Sequence, residues 1–203
     1  FLKAVLDPVS GLRTEKILSH LAAFEIPGYY RIIYITDGGF VIAPTLQQKK
    51  SIIENSVEFL HSIGMARPRV AILSANEQVN PKMPVTVEAE QLKLMAEKGE
   101  IKGADVDGPI ALDVAISQEA AEHKKIKSTV AGKADLLVVP NIESGNLLGK
   151  AILYFAGGKM AGLVLGAAKP VILTSRNETP YGKMASIALA AYSVVRQEGR
   201  QPL

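Results

Sequence analysis

Residues 135–150 run Asp-Leu-Leu-Val-Val-Pro-Asn-Ile-Glu-Ser-Gly-Asn-Leu-Leu-Gly-Lys. An unbroken apolar stretch stops at Pro140, passes through a polar turn over 141–146 and continues as a helical pattern. A strand without a polar face must be covered on both sides, as in a parallel sheet between helices. The corner beyond the carboxyl end of such a strand is where open α/β sheets bind ligands. The first N–H groups of the helix that follows lack intrahelical partners and can hold an anion. The same order recurs at Val171-Ile172-Leu173-Thr174, which leads through Ser175-Arg176 into a further helix. Two corners of this kind point to a cleft that handles phosphate.

Elsewhere strands and helices alternate, the pattern of an α/β fold. Strands are predicted at 31–36, 69–74, 101–106, 135–139, 162–165 and 171–173, with 40–43 pairing back as a hairpin. Helices are predicted from the Thr45 cap to Gly64 and at 86–98, 110–116, 118–125, 147–155 and 185–195. Leu2–Leu6 has the look of a helix end, so a further amino-terminal portion is expected ahead of Phe1.

A hydrophobic fraction of 48% against 21% charged residues supports a packed core. The net charge of +3 comes from scattered basic residues, and no Trp is present, so no nucleic-acid stripe is expected. The absence of cysteine excludes disulfides, thiolate metal sites and a cysteine nucleophile, and fits a cytoplasmic protein. No apolar run reaches membrane-spanning length, and no signal peptide is visible. His20, His61 and His123 have no metal-ligand spacing, and Asp105, Asp107 and Asp113 straddle a turn without a histidine, so no metal is expected. Without a Gly-x-Gly-x-x-Gly or Walker pattern, NAD and ATP are not indicated.

Several segments, in order along the chain, carry a more specific signal. They are Ile35-Thr36-Asp37-Gly38 with Ala43-Pro44, Val79 to Pro84, Val106 to Asp113, Val130 to Asp135, Pro140 to Asn146, and Leu173-Thr174-Ser175-Arg176. As a set they resemble the phosphate acetyltransferase and phosphate butyryltransferase family. Asn80-Pro81-Lys82-Met83-Pro84 and Ala111-Leu112-Asp113 look closer to the butyryl branch.

The resemblance implies reversible transfer of a short acyl group between CoA and phosphate, giving acyl phosphate, with CoA as a substrate and no tightly bound cofactor. It implies a two-domain α/β architecture similar to isocitrate and isopropylmalate dehydrogenases, with a cleft between the domains. Residues 14–161 would form the second domain; 1–13 and 162–203 would belong to a first domain that is incomplete at its amino end. A homodimer or larger homo-oligomer is expected, with no nucleic-acid or membrane partner.

By the same resemblance Ser175 and Arg176 are the catalytic pair, and Thr174 and Lys3 contact substrate. Asn141, Glu143, Ser144, Gly145 and Asn146 either hold phosphate or shape the cleft, or serve simply as a turn and helix cap. The acetyl branch carries an Asp, proposed as base for the CoA thiol, where this chain has Gly182. In its place the cationic field of Arg176, helped by Lys183, would lower the pKa of the thiol, with Glu178 as the fallback base; surface charge is the expected role of both Glu178 and Lys183. Two other readings compete: a non-catalytic domain that binds phosphate or CoA, and a metal-dependent decarboxylating dehydrogenase of related fold.

Overall fold

The computed structural model describes residues 2–7, 9–197 and 199, those at 2, 3 and 197 by their backbone alone. Six strands form one sheet: β1 (Ser19–Glu25), β2 (Ile33–Thr36), β3 (Arg69–Leu73), β4 (Asp105–Ile110), β5 (Leu136–Val138) and β6 (Lys159–Leu165). Their order is β4-β3-β5-β2-β1-β6. Strands β2, β5, β3 and β4 are parallel, while β1 runs against both of its neighbours, so β6 points with the parallel set. Every carboxyl end except that of β1 therefore reaches one edge of the sheet, where the amino end of β1 joins them.

The helices are α1 (Leu2–Val5), α2 (Leu46–Ser62), α3 (Pro84–Glu97), α4 (Leu112–Ile116), α5 (Gln118–His123), α6 (Ile142–Phe155) and α7 (Pro180–Gln197). They cover both faces of the sheet. Leu136 and Val138 of β5 pack with Ile53 and Leu60 of α2 and Leu92 of α3. Leu137 and Val139 pack with Val114 of α4, Ala121 of α5 and Ile152 of α6. This explains why the strand has no polar side: each fully buried Leu or Val contributes about 1.5–3 kcal/mol, and alternate residues are claimed by opposite layers. Helix α7 lies on the first of these faces. Ala190 joins that core, and the Ser186 hydroxyl accepts from the Gly162 N–H at 2.9 Å.

The structure corrects several sequence expectations. No hairpin forms at 40–43; the Phe40 and Val41 N–H groups bond the Asp37 carboxylate instead. Strand β1 was not expected, and the strand at 171–173 reduces to a single bridge between Val171 and Val164. Asp107-Gly108-Pro109 is not the turn that ends a strand but part of β4. That strand is at the sheet edge, where a proline without an N–H is tolerated. Thr45 does cap α2, in a reciprocal capping box with Gln48.

Candidate active site

At the carboxyl edge, the ends of β2 and β5 lie side by side and their loops meet. Asp37, just past β2, is 3% exposed. Its carboxylate accepts from the N–H groups of His20 (3.0 Å), Gly39 (2.9 Å), Phe40 (2.8 Å) and Val41 (3.2 Å). Those bonds hold the loop after β2 tight against the start of α6. A Cβ on Gly145 would fall 2.6 Å from the Gly38 Cα, so the two backbones touch where both residues are glycine.

The α6 corner is built around Asn141. Its Oδ1 accepts from the Ser144 N–H at 3.0 Å and from the Ser144 hydroxyl at 2.7 Å, which makes Asn141 the helix cap. The Ile142 N–H goes to the Ile42 carbonyl, and that of Gly145 to the Asn141 carbonyl. Only the Glu143 N–H in this first turn has no protein partner among the described residues. Glu143 itself is exposed; its carboxylate favours the helix start but repels an added anion. Asn146 is exposed, with its amide 3.5 Å from the Gly38 carbonyl.

Sequence reasoning missed three groups here. Asp37 stood in the Ile35-Thr36-Asp37-Gly38 motif with no role assigned to it. Lys49, 2% exposed in the first turns of α2, pairs with Glu88 of α3 and donates to the Pro140 carbonyl at 3.0 Å. His20 has a buried Nδ1 without a partner among the described residues, and loss of water around the ring holds its pKa below the ordinary imidazole value, opposed by the nearby Asp37 charge. Its ring fits because positions 39 and 162 are glycine: a Cβ there would sit 3.1 Å and 3.0 Å from ring atoms. At the same edge a polar pocket of about 580 Å³ is lined by Arg13, Thr14, Lys16 and Gln48 among others.

Ser175 and Arg176 lie on the connection from β6 to α7. After the Val171–Val164 bridge the chain doubles back along β6, and Gly182 comes against the Met160 carbonyl near the strand's amino end. Residues 175–178 form a turn closed by the Glu178 N–H to the Ser175 carbonyl at 3.1 Å. The Ser175 oxygen accepts from the Asn177 N–H at 3.4 Å, which leaves its own proton available to donate. Ser175 and Arg176 are exposed and Thr174 half-buried. Among the described residues Arg176 has no ion pair, and no hydrogen bond or ion pair joins this turn to the Asn141 corner. Lys3 lies in α1, but its side chain is outside the described residues.

A family profile described as phosphate acetyl/butaryl transferase matches residues 1–191. The chain belongs to the phosphate acetyl/butaryl transferase family. The phosphate butyryltransferase of Clostridium acetobutylicum is 48% identical over 94% of this chain and 64% of its own length. The phosphate acetyltransferase of Thermotoga maritima is 47% identical over 94% of this chain and 65% of its own. The crystal structure of a branched-chain phosphotransacylase from Enterococcus faecalis V583 matches with a TM-score of 0.88 at 38% identity, covering 95% of this chain and 69% of that one. This member of the acetyl/butaryl transferase family thus spans somewhat less than two-thirds of the length of these curated relatives. Among its described residues, no group of three or more His, Cys, Asp or Glu could hold a metal, and no helix is long and apolar enough to cross a membrane.

Proposed function

We propose that this chain carries phosphate acyl transfer, the reversible conversion of acyl-CoA and phosphate to acyl phosphate and CoA. The acyl group is butyryl or another short or branched chain. Identities of 48% and 47% to a butyryl and an acetyl enzyme do not separate the two, so the branch rests on the motifs at 80–84 and 111–113.

The observation that carries the chemistry is the Ser175 turn. It presents a hydroxyl with a spare proton next to a guanidinium that has no ion pair among the described residues. The planar Arg176 fork suits two oxygens of an acyl phosphate at once. The Ser175 O–H can donate to the oxyanion that forms when the acyl carbon becomes tetrahedral. With no cysteine in the chain, direct attack by the CoA sulfur in a ternary complex is the natural scheme, and no cofactor need be tightly bound.

Thr174 flanks the reacting groups, and Lys3 is kept as a substrate contact on the strength of the family resemblance alone. Asn141, Glu143, Ser144, Gly145 and Asn146 shape a cleft wall rather than forming the main phosphate grip, because their first-turn N–H groups are largely engaged. Arg13 in the polar pocket offers charge for the acidic end of CoA, while Lys16 there is paired with Glu58. In this reading 14–161 is the second of two domains, 1–13 and 162–203 contribute to the first, and the protein assembles as a homodimer or larger.

Release of CoA from butyryl-CoA on addition of phosphate, followed as free thiol, tests the activity. Ser175→Ala is expected to lower kcat by about 10²–10³, the loss typical of one oxyanion donor. Arg176→Ala should raise the KM for phosphate and lower kcat. Full activity in both variants would remove the site from this turn.

A further inference from the structure

We propose that Glu178 is the general base that takes the proton from the CoA thiol, a role that rests on the acyl-transfer reading above. The sequence offered Glu178 only as a fallback base, with surface charge its expected role. The structure instead half-buries it and gives it no ion pair among the described residues.

Its position is set by three neighbours. The turn hydrogen bond from Glu178 N–H to the Ser175 carbonyl fixes it at the far end of the turn that starts with the Ser175 hydroxyl and includes Arg176. Oε1 accepts from the Thr179 N–H at 3.0 Å and lies 3.4 Å from the Thr179 hydroxyl. That hydroxyl oxygen in turn accepts from the Gly182 N–H at 3.0 Å, so Thr179 caps α7 ahead of Pro180. The carboxylate then lies across Gly182. A Cβ at 182 would come 2.1 Å from Oε1 and 3.0 Å from the Met160 carbonyl. The missing side chain at 182 is the space the carboxylate occupies. Among the described residues Oε2 has no partner, so one oxygen is anchored and the other is open.

Hydroxyl, guanidinium and carboxylate thus sit within four consecutive residues, held by a turn and a helix cap. The attacking species must be the thiolate. As the sulfur closes on the acyl carbon, the S–H proton moves to Glu178 Oε2 and the S–C bond forms. The C–O bond to phosphate breaks, and phosphate leaves with the electron pair and receives that proton. In the opposite direction the protonated carboxyl returns it to the departing sulfur.

The competing role is a helix-start carboxylate that only steadies α7. Thioester formation from butyryl phosphate and CoA, measured from pH 6 to 9, separates the two. For Glu178→Gln, kcat near pH 7 is expected to fall by about 10²–10⁴, the usual contribution of a general base, with both KM values little changed. The deficit should close by about tenfold per pH unit as pH rises toward the thiol's own ionisation, because the thiolate is the attacking species. Gly182→Ala, which displaces the carboxylate, should show the same trend in weaker form, and Glu178→Asp should recover part of the rate. If Glu178→Gln keeps the wild-type rate at every pH while Ser175→Ala and Arg176→Ala are impaired, Glu178 is not the base and the site stands. A deficit that is constant with pH and follows a lowered melting temperature assigns it to the helix cap and also overturns the proposal. If the Ser175 and Arg176 variants are fully active too, the acyl-transfer site itself has been misplaced.

Discussion

A methyl group on Gly145 would meet the Gly38 Cα at 2.6 Å and the Val139 side chain at 2.9 Å. Neither backbone can yield without opening the β2–β5 corner. Gly145→Ala should therefore destabilise the protein by about 1–3 kcal/mol, the usual cost of overpacking. Thermal unfolding should show a midpoint lower by about 2–4 °C for each kcal/mol in a chain of this size. His20 makes a second prediction. Burial lowers its pKa in the folded state, so in the window below the unfolded value of about 6.5 the unfolded chain binds more protons. Stability contributed by the neutral ring is complete above that value and is lost as pH falls toward the folded pKa. Urea midpoints between pH 7.5 and 5.5 should fall more steeply for the wild type than for His20→Gln. Neither role was legible from sequence. Gly145 stood out as part of a polar turn, but the partner that requires a glycine is more than a hundred residues away. His20 lacked metal spacing, which says nothing about the two glycines that house its ring.

Helix α2 shows how an element can be legible in outline while its most consequential residue is not. The Thr45 cap, the apolar spacing and Gly64 all marked it, and the helix spans Leu46–Ser62. What the pattern could not show is that Lys49 points inward, to Glu88 and the Pro140 carbonyl. Removing one partner of such a pair strands the other charge, and Lys49→Met is expected to cost about 3 kcal/mol, toward the low end for a buried pair because Glu88 keeps some exposure. Lys49→Met with Glu88→Leu should recover most of that loss, since an apolar pair of similar volume needs no compensation for desolvation. Chemical denaturation of the two single variants and the double variant gives the coupling directly. Strand β1 failed to register for a related reason. Ser-His-Leu-Ala-Ala-Phe-Glu is poor in β-branched residues, and it is extended because β2 and β6 flank it on both sides. Context decides such a strand, and context is absent from a local window.

For the molecule as a whole, the ordered motifs identified the family, because they span the chain and most of them lie at a turn or strand end. The assembly of the candidate site was less legible. The recurrence of strand, polar turn and helix at 135–150 and 171–185 suggested two equivalent corners. In the structure Val171 makes one bridge and the chain then doubles back along β6, so the Ser175 turn leads away from the edge where Asn141 sits. The opposite, amino edge has its own fastening. Asp135, whose side chain is 8% exposed, accepts from the Arg69 N–H at 2.9 Å, from Arg69 Nε at 2.8 Å and from Arg31 Nη1 at 2.8 Å. One carboxylate thus joins the segments entering β2, β3 and β5. In parallel sheets the carboxyl edge carries ligands, so a fastening at the amino edge should govern stability alone. Asp135→Ala is expected to cost about 3 kcal/mol, because it leaves two partly buried guanidinium groups unpaired. That corresponds to a melting midpoint lower by about 6–12 °C. Well below that midpoint, kcat and the KM for phosphate should match the wild type. A raised KM for phosphate at a temperature where the variant is fully folded would show that the two edges are coupled through the short β5 strand, and that binding and stability are not separated across this sheet.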